Sequence, residues 1–157
     1  LVVLKTSKGS AKYRPFAERS MRAWMIHHCH PLAIVIGGDL NLVGSTLPLD
    51  LLIRDGQSVV GGQGDFIIAN ALQPDGLSAH TWQKPNQAFS PGRLDWLVYG
   101  GDGLTARRSV VLDTLDLNPD QLKATQLHAD DTAMASDHLP LLVDLGLTTT
   151  SATTPAP

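Results

Sequence analysis

Between Pro31 and the pair Gly37-Gly38 runs an uninterrupted apolar stretch, Leu32 to Ile36. It shows no polar alternation, so the strand it predicts can present neither face to water. A strand buried on both sides must lie inside a layered domain, with helices or a second sheet covering it. The stretch leads directly into Asp39-Leu40-Asn41. Polar side chains are thus delivered where a rigid buried strand emerges, which is where scaffolds commonly present functional groups.

Other elements can be read around that strand. Leu1 to Lys5 is short, contains two valines and is followed by the turn-forming cluster Thr6 to Ser10, which predicts another strand. Phe16, Ala17, Met21, Trp24 and Met25 recur at helical spacing and predict a surface helix ending near His28 to Pro31. One or two helices are expected around Leu47 to Ile53 and Phe66 to Leu72, with Gly61-Gly62-Gln63-Gly64 as the loop between them. Leu94 to Tyr99 and Ser109 to Leu112 are strand-like and flank the turn Gly100-Gly101-Asp102-Gly103, which suggests a hairpin. Asn118-Pro119 followed by Gln121 has the pattern of an N-cap, a first-turn proline and a capping-box partner, opening a short helix to about Thr125. Leu139 to Leu145 predicts the last strand. Strands mixed with helices and joined partly by hairpins point to an α/β domain with a mixed sheet.

Composition sets the limits of this reading. With 157 residues, 43% hydrophobic and 17% charged, the chain suits one globular domain with a sizeable core. A formal net charge of -3 gives no long-range attraction for polyanions, so a phosphate-bearing partner would need a metal ion or a local basic patch. Cys29 is the single cysteine, which excludes an intrachain disulfide and a thiolate metal site and decides nothing about compartment. No apolar run approaches the roughly 20 residues that span a bilayer, and the start lacks the pattern of a signal peptide. Beginning at Leu1 inside an apolar stretch, the sequence has the look of a partial one. Thr148 to Pro157 holds only Thr, Ser, Ala and Pro, a composition unable to build a core and expected to be a disordered tail.

Three polar groups stand at predicted strand ends: Gly38-Asp39-Leu40-Asn41, Arg93-Leu94-Asp95-Trp96 and Ser136-Asp137-His138-Leu139-Pro140. In extended geometry Asp39 and Asn41 would point the same way, toward one site, although, taken alone, the pair is more simply explained by an Asx-turn closing the strand. Asp95 lies in an otherwise apolar strand, so its charge requires a partner. His138 is the natural one, because a carboxylate on one imidazole nitrogen fixes the tautomer and leaves the other nitrogen to act. An ion pair of Asp95 with Arg93 or Arg54, and a turn cap at Asp137-His138, are the structural alternatives. His27, His28 and His30 around Cys29 fall on different sides of a helix and are read as surface or structural residues. Gly61-Gly62-Gln63-Gly64 lacks the context and lysine of a phosphate loop.

Taken together and in this order, Ile36 to Asn41, Arg93 to Leu97 and Ser136 to Pro140 resemble the Gly-Asp-x-Asn, Arg-x-Asp-Tyr and Ser-Asp-His-x-Pro motifs of the endonuclease/exonuclease/phosphatase superfamily, the deoxyribonuclease I-like fold. The resemblance covers about Leu1 to Leu147 and implies the C-terminal portion of a four-layer α/β sandwich, two mixed sheets flanked by helices, with the N-terminal part absent from this chain. It implies a divalent-metal-dependent phosphoester hydrolase, nuclease-like or phosphodiesterase, using Mg²⁺ or Mn²⁺. Asp39 and Asn41 would contact the attacking water and the phosphate, Asp95 and His138 would form a dyad, and Asp137 would position metal or water. Whether Asp39 or His138 activates the water is left open. The family's metal-binding Glu and an Asn are expected upstream of Leu1, and Val3 stands where many members carry a His. Lys5, Lys8 and Arg14 fall near where family members approach substrate, a solvated charged loop being the simpler explanation; with Asn41 and Arg93, Lys5 is a candidate substrate contact. His80-Thr81-Trp82 is similar to a family strand near the substrate rim, with Trp82 read as core rather than a stacking platform. Nucleic acid, a phospholipid head group or a sugar phosphate would each suit as substrate. A catalytically inactive relative serving as a binding or structural module is the alternative.

Overall fold

The computed structural model describes residues 2–5, 33–57, 66–86, 88–101 and 103–147. The helix predicted from Phe16, the histidines around Cys29, the loop at Gly61 to Gly64 and the tail from Thr148 lie outside the described residues. In chain order the elements are β1 (Val2–Lys5), β2 (Ile34–Asp39), α1 (Leu47–Gln57), β3 (Ile67–Ile68), β4 (Asp95–Gly100) and β5 (Leu104–Val111). A 3-10 turn (Thr114–Asp116), α2 (Pro119–Thr125), α3 (Asp131–Ala135) and β6 (Leu141–Leu147) follow. This is a mixed α/β arrangement.

One sheet has the order β1-β2-β4-β3, with β1 parallel to β2 and both other pairings antiparallel. β5 and β6 form a second, antiparallel sheet. The apolar stretch behaves as its composition demands. Ile34 and Ile36 of β2 and Val98 of β4 face α1, packing with Leu49, Leu52, Ile53 and Phe66. From the opposite face, Val35, Leu97 and Tyr99 meet Leu104, Ala106, Val143 and Leu145 of the second sheet. Each aliphatic side chain fully buried in this way contributes about 1.5–3 kcal/mol. The layers are therefore helix, sheet and sheet. α1 docks because Leu49, Leu52 and Ile53 share one helical face, while Asp50 in its first turn and Arg54 in its last complement the helix dipole.

The fold departs from three expectations. Phe66 to Leu72 is extended rather than helical: Ile67 and Ile68 pair with Tyr99 and Val98, and Leu72 bridges Val110. A short apolar run cannot be assigned by periodicity alone, and here an open edge of β4 decides it. β4 and β5 are both strands but do not form a hairpin. β4 already has β2 on one edge and β3 on the other, so the chain must leave the sheet. Gly101 and Gly103, at φ 119° and 72°, supply the left-handed turn that carries it to the second layer. β5 starts at Leu104, earlier than expected, because Arg107 and Arg108 and a bulge between Ala106 and Arg108 obscure its alternation. By contrast α2 has the expected N-terminus: Asn118 and Gln121 exchange reciprocal capping bonds of 2.9 Å each.

Phe66 lies so close to Gly100 that a Cβ added there would stand 2.9 Å from its ring. Gly100→Ala is expected to cost about 1–3 kcal/mol through overpacking. Urea unfolding with an unshifted midpoint would show that Phe66 yields without strain.

Candidate active site

The register of β2 against β4 sets Asp39 directly opposite Asp95, one step beyond the pairs Gly37–Leu97 and Val35–Tyr99 in the alternating row. Alternation places both carboxylates at the end of the face turned toward the second sheet. Directly paired positions hold their Cβ atoms roughly 4.5–5.5 Å apart. Two acids this close need donors or a cation between them.

Asp95 finds its donors. Its Oδ2 accepts the Thr81 hydroxyl at 2.8 Å and lies 2.7 Å from His138 Nδ1. The two side chains of this dyad are 20% and 25% exposed, so the pair is shielded but reachable. Arg93, the alternative partner for Asp95, is engaged elsewhere. Its guanidinium donates to the Ala69 carbonyl at 2.8 Å and stacks over Trp96 at 4.1 Å. Burial pushes its pKa below the ordinary arginine value. Arg93 thus ties the start of β4 to Ala69 and to Trp96.

Residues 81–83 tie the pieces together. Trp82 forms isolated β-bridges with both Gly92 and His138. Leu139 N–H donates to the Thr81 carbonyl at 2.7 Å, and Gln83 N–H to the Asp137 carbonyl at 3.0 Å. His138 thereby hangs between two backbone bonds, while Ser136 Oγ caps its own N–H at 3.0 Å. Behind this bridge, Gln83 Nε2 donates to the buried Asp113 at 2.9 Å, and Asp113 also accepts from Thr132 Oγ1 and Leu115 N–H. The 3-10 turn and α3, which no sequence signal announced, are fastened to the site through this carboxylate.

Asp137 is more exposed. Trp82 Nε1 donates to its Oδ2 at 3.3 Å and Lys84 Nζ stands 3.7 Å away. The Trp82 bond, then the Lys84 charge, hold its carboxyl below the usual carboxylate range. A depressed carboxylate adds stability above its unfolded pKa, and that stability is lost as pH falls through the folded value. Trp82→Phe removes the leading cause, so the Asp137 titration followed by side-chain carboxyl NMR is expected to move upward. An unmoved titration would remove Trp82 from its environment.

Asn41 departs from the extended geometry anticipated for it. Its φ is 49°, in the left-handed region that asparagine tolerates, and its N–H donates to Asp39 Oδ1 at 2.9 Å. The Asx-turn reading therefore holds, and the two side chains do not alternate along one strand. Lys5 ends β1 opposite Gly37, and because β1 runs parallel to β2 its backbone reaches the same end of the sheet as Asp39. Thr81, wholly buried, belongs to the His80-Thr81-Trp82 segment likened to a family strand at the substrate rim, but no site role was expected of it. A threonine between a histidine and a tryptophan carries no distinguishing signal of its own.

Asp39 and Asp137 offer hard carboxylate oxygens of the kind that suit Mg²⁺ or Mn²⁺. Among the described residues no group of three or more His, Cys, Asp or Glu side chains could hold a metal ion, so a further carboxylate would have to complete such a set. No helix among the described residues is long and apolar enough to cross a membrane. The chain matches no protein-family profile, no curated protein and no solved structure.

Proposed function

We propose that this chain belongs to a divalent-metal-dependent phosphoester hydrolase of the endonuclease/exonuclease/phosphatase kind, with Asp95 and His138 as its acid–base pair. The observation that carries the reading is the 2.7 Å contact between Asp95 and His138, which joins two of the three polar motifs across 43 positions of chain. The register places Asp39, from the third motif, beside them. With Nδ1 turned to Asp95, Nε2 of His138 is the nitrogen left to take a proton from water. The water oxygen bonds to phosphorus as the ester P–O bond breaks, and the leaving oxygen departs with the bonding pair. Asp137 would hold the metal together with a further carboxylate, and Asp39 would contact the attacking water and the phosphate. When bound, the ion would neutralise charge developing on the phosphate oxygens. The helix, sheet and sheet layers of the described residues are consistent with the four-layer sandwich that the resemblance implies.

Hydrolysis of a generic phosphodiester by the full-length protein, measured with Mg²⁺ and with excess chelator, tests this reading. Turnover is expected with Mg²⁺ and only background hydrolysis in chelator. Equal rates in both would remove the metal from the proposal, and no turnover with any phosphoester would remove the reaction.

A further inference from the structure

Thr81 is 0% exposed and makes a hydrogen bond in every direction its hydroxyl allows. The oxygen accepts from Leu94 N–H at 3.0 Å and from Asp95 N–H at 2.8 Å. A threonine hydroxyl has two lone pairs and one proton. With both lone pairs taken by backbone donors, the proton has one remaining destination, the Asp95 carboxylate oxygen 2.8 Å away. The direction of that bond is fixed by the backbone and not by a rotor.

We infer that Thr81 is the positioning residue that sets the tautomer of His138, acting through Asp95. Asp95 Oδ2 receives Thr81 and His138 together; an ionised carboxylate oxygen only accepts, and the Thr81 bond fixes which oxygen faces the imidazole and where it stands. An acceptor there selects the ring form with the proton on Nδ1, and leaves Nε2 as the basic nitrogen. The same threonine fixes where Asp95 stands. Its oxygen pins the two consecutive backbone amides at the start of β4, and its carbonyl receives Leu139 N–H, the residue after His138. One buried side chain thus sets the position of the carboxylate and, by way of residue 139, the approach of the ring. Removing an outer partner that orients a metal-ligating imidazole costs about 10–100-fold, and a loss on that scale is expected for an orienting partner here.

The inference rests on the proposed hydrolase only for its activity readout. Nitrogen-resolved NMR of the full-length protein reports the His138 tautomer whether or not it turns over a substrate. The expected wild-type spectrum has a protonated, hydrogen-bonded Nδ1 and an unprotonated Nε2. Thr81→Val keeps the shape and removes the hydroxyl; it is expected to lose the downfield Nδ1 proton signal and to lower kcat at least about tenfold with KM little changed. Thr81→Ser restores the hydroxyl and is expected to recover both. A wild-type Nε2–H tautomer would overturn the inference even if Thr81→Val fails to fold, as would a folded Thr81→Val protein with an unchanged Nδ1 signal. A wild-type protein with the expected tautomer but no phosphoesterase activity would sink the proposed function and leave the role of Thr81 standing.

Discussion

His138→Ala is expected to lower phosphodiester turnover by at least about 10²-fold, the usual scale for removing a positioned acid–base group. The ring is only 25% exposed and contacts Asp95 rather than the apolar core, so the variant should keep its fold. Asp95→Asn provides the companion result. The amide keeps the shape of the carboxylate but removes the negative charge that stabilises the imidazolium formed when Nε2 takes a proton. Its loss should be of similar size, and the double variant should lose little more than either single one, because residues that act as a unit are not additive. Steady-state kinetics on the four proteins, with circular dichroism as the folding control, decides the matter. Full activity in a folded His138→Ala protein would end the assignment of the dyad.

Ile34→Ala is expected to destabilise the chain by about 2–5 kcal/mol, because a large aliphatic residue lost from a close-packed core leaves a cavity. Ile34 is 0% exposed and lies within the cluster that joins the sheet to α1 and Phe66. It also sits at the far end of β2 from Asp39, which separates its effect from chemistry. Denaturant unfolding should show the loss while the activity of the residual folded protein per molecule stays near wild type. A shift below about 0.5 kcal/mol, the range of ordinary surface changes, would mean that β2 is not the buried centre described here.

The elements that the sequence announced are those whose signal is local. The apolar run of β2 needs two covered faces whatever surrounds it. The Asn118-Pro119 start of α2 carries its own capping bonds within three residues. Leu49, Leu52 and Ile53 form a helical face before any sheet is present to receive it. Where competition between partners decides, the sequence was silent or misleading. Phe66 to Leu72 became extended because β4 had an edge to fill, and β5 left β4 because both its edges were taken.

The site divides along the same line. Asp39, Asp95, Asp137 and His138 are legible because carboxylates and an imidazole beside buried strands demand a reason, and Asp95 required a partner that His138 could be. Three other facts exist only in the folded chain. Asn41 turns left-handed and gives its N–H to Asp39. Arg93 packs on Trp96 and bonds Ala69 rather than pairing with Asp95. Thr81 reaches Asp95 from 14 positions away. The sequence by itself determined which segments must be buried and which charged groups must emerge beside them, since desolvation is a property each residue carries wherever it stands. Only the tertiary structure decided which donor meets which acceptor, because hydrogen bonds depend on distances and directions that long-range strand pairing alone creates.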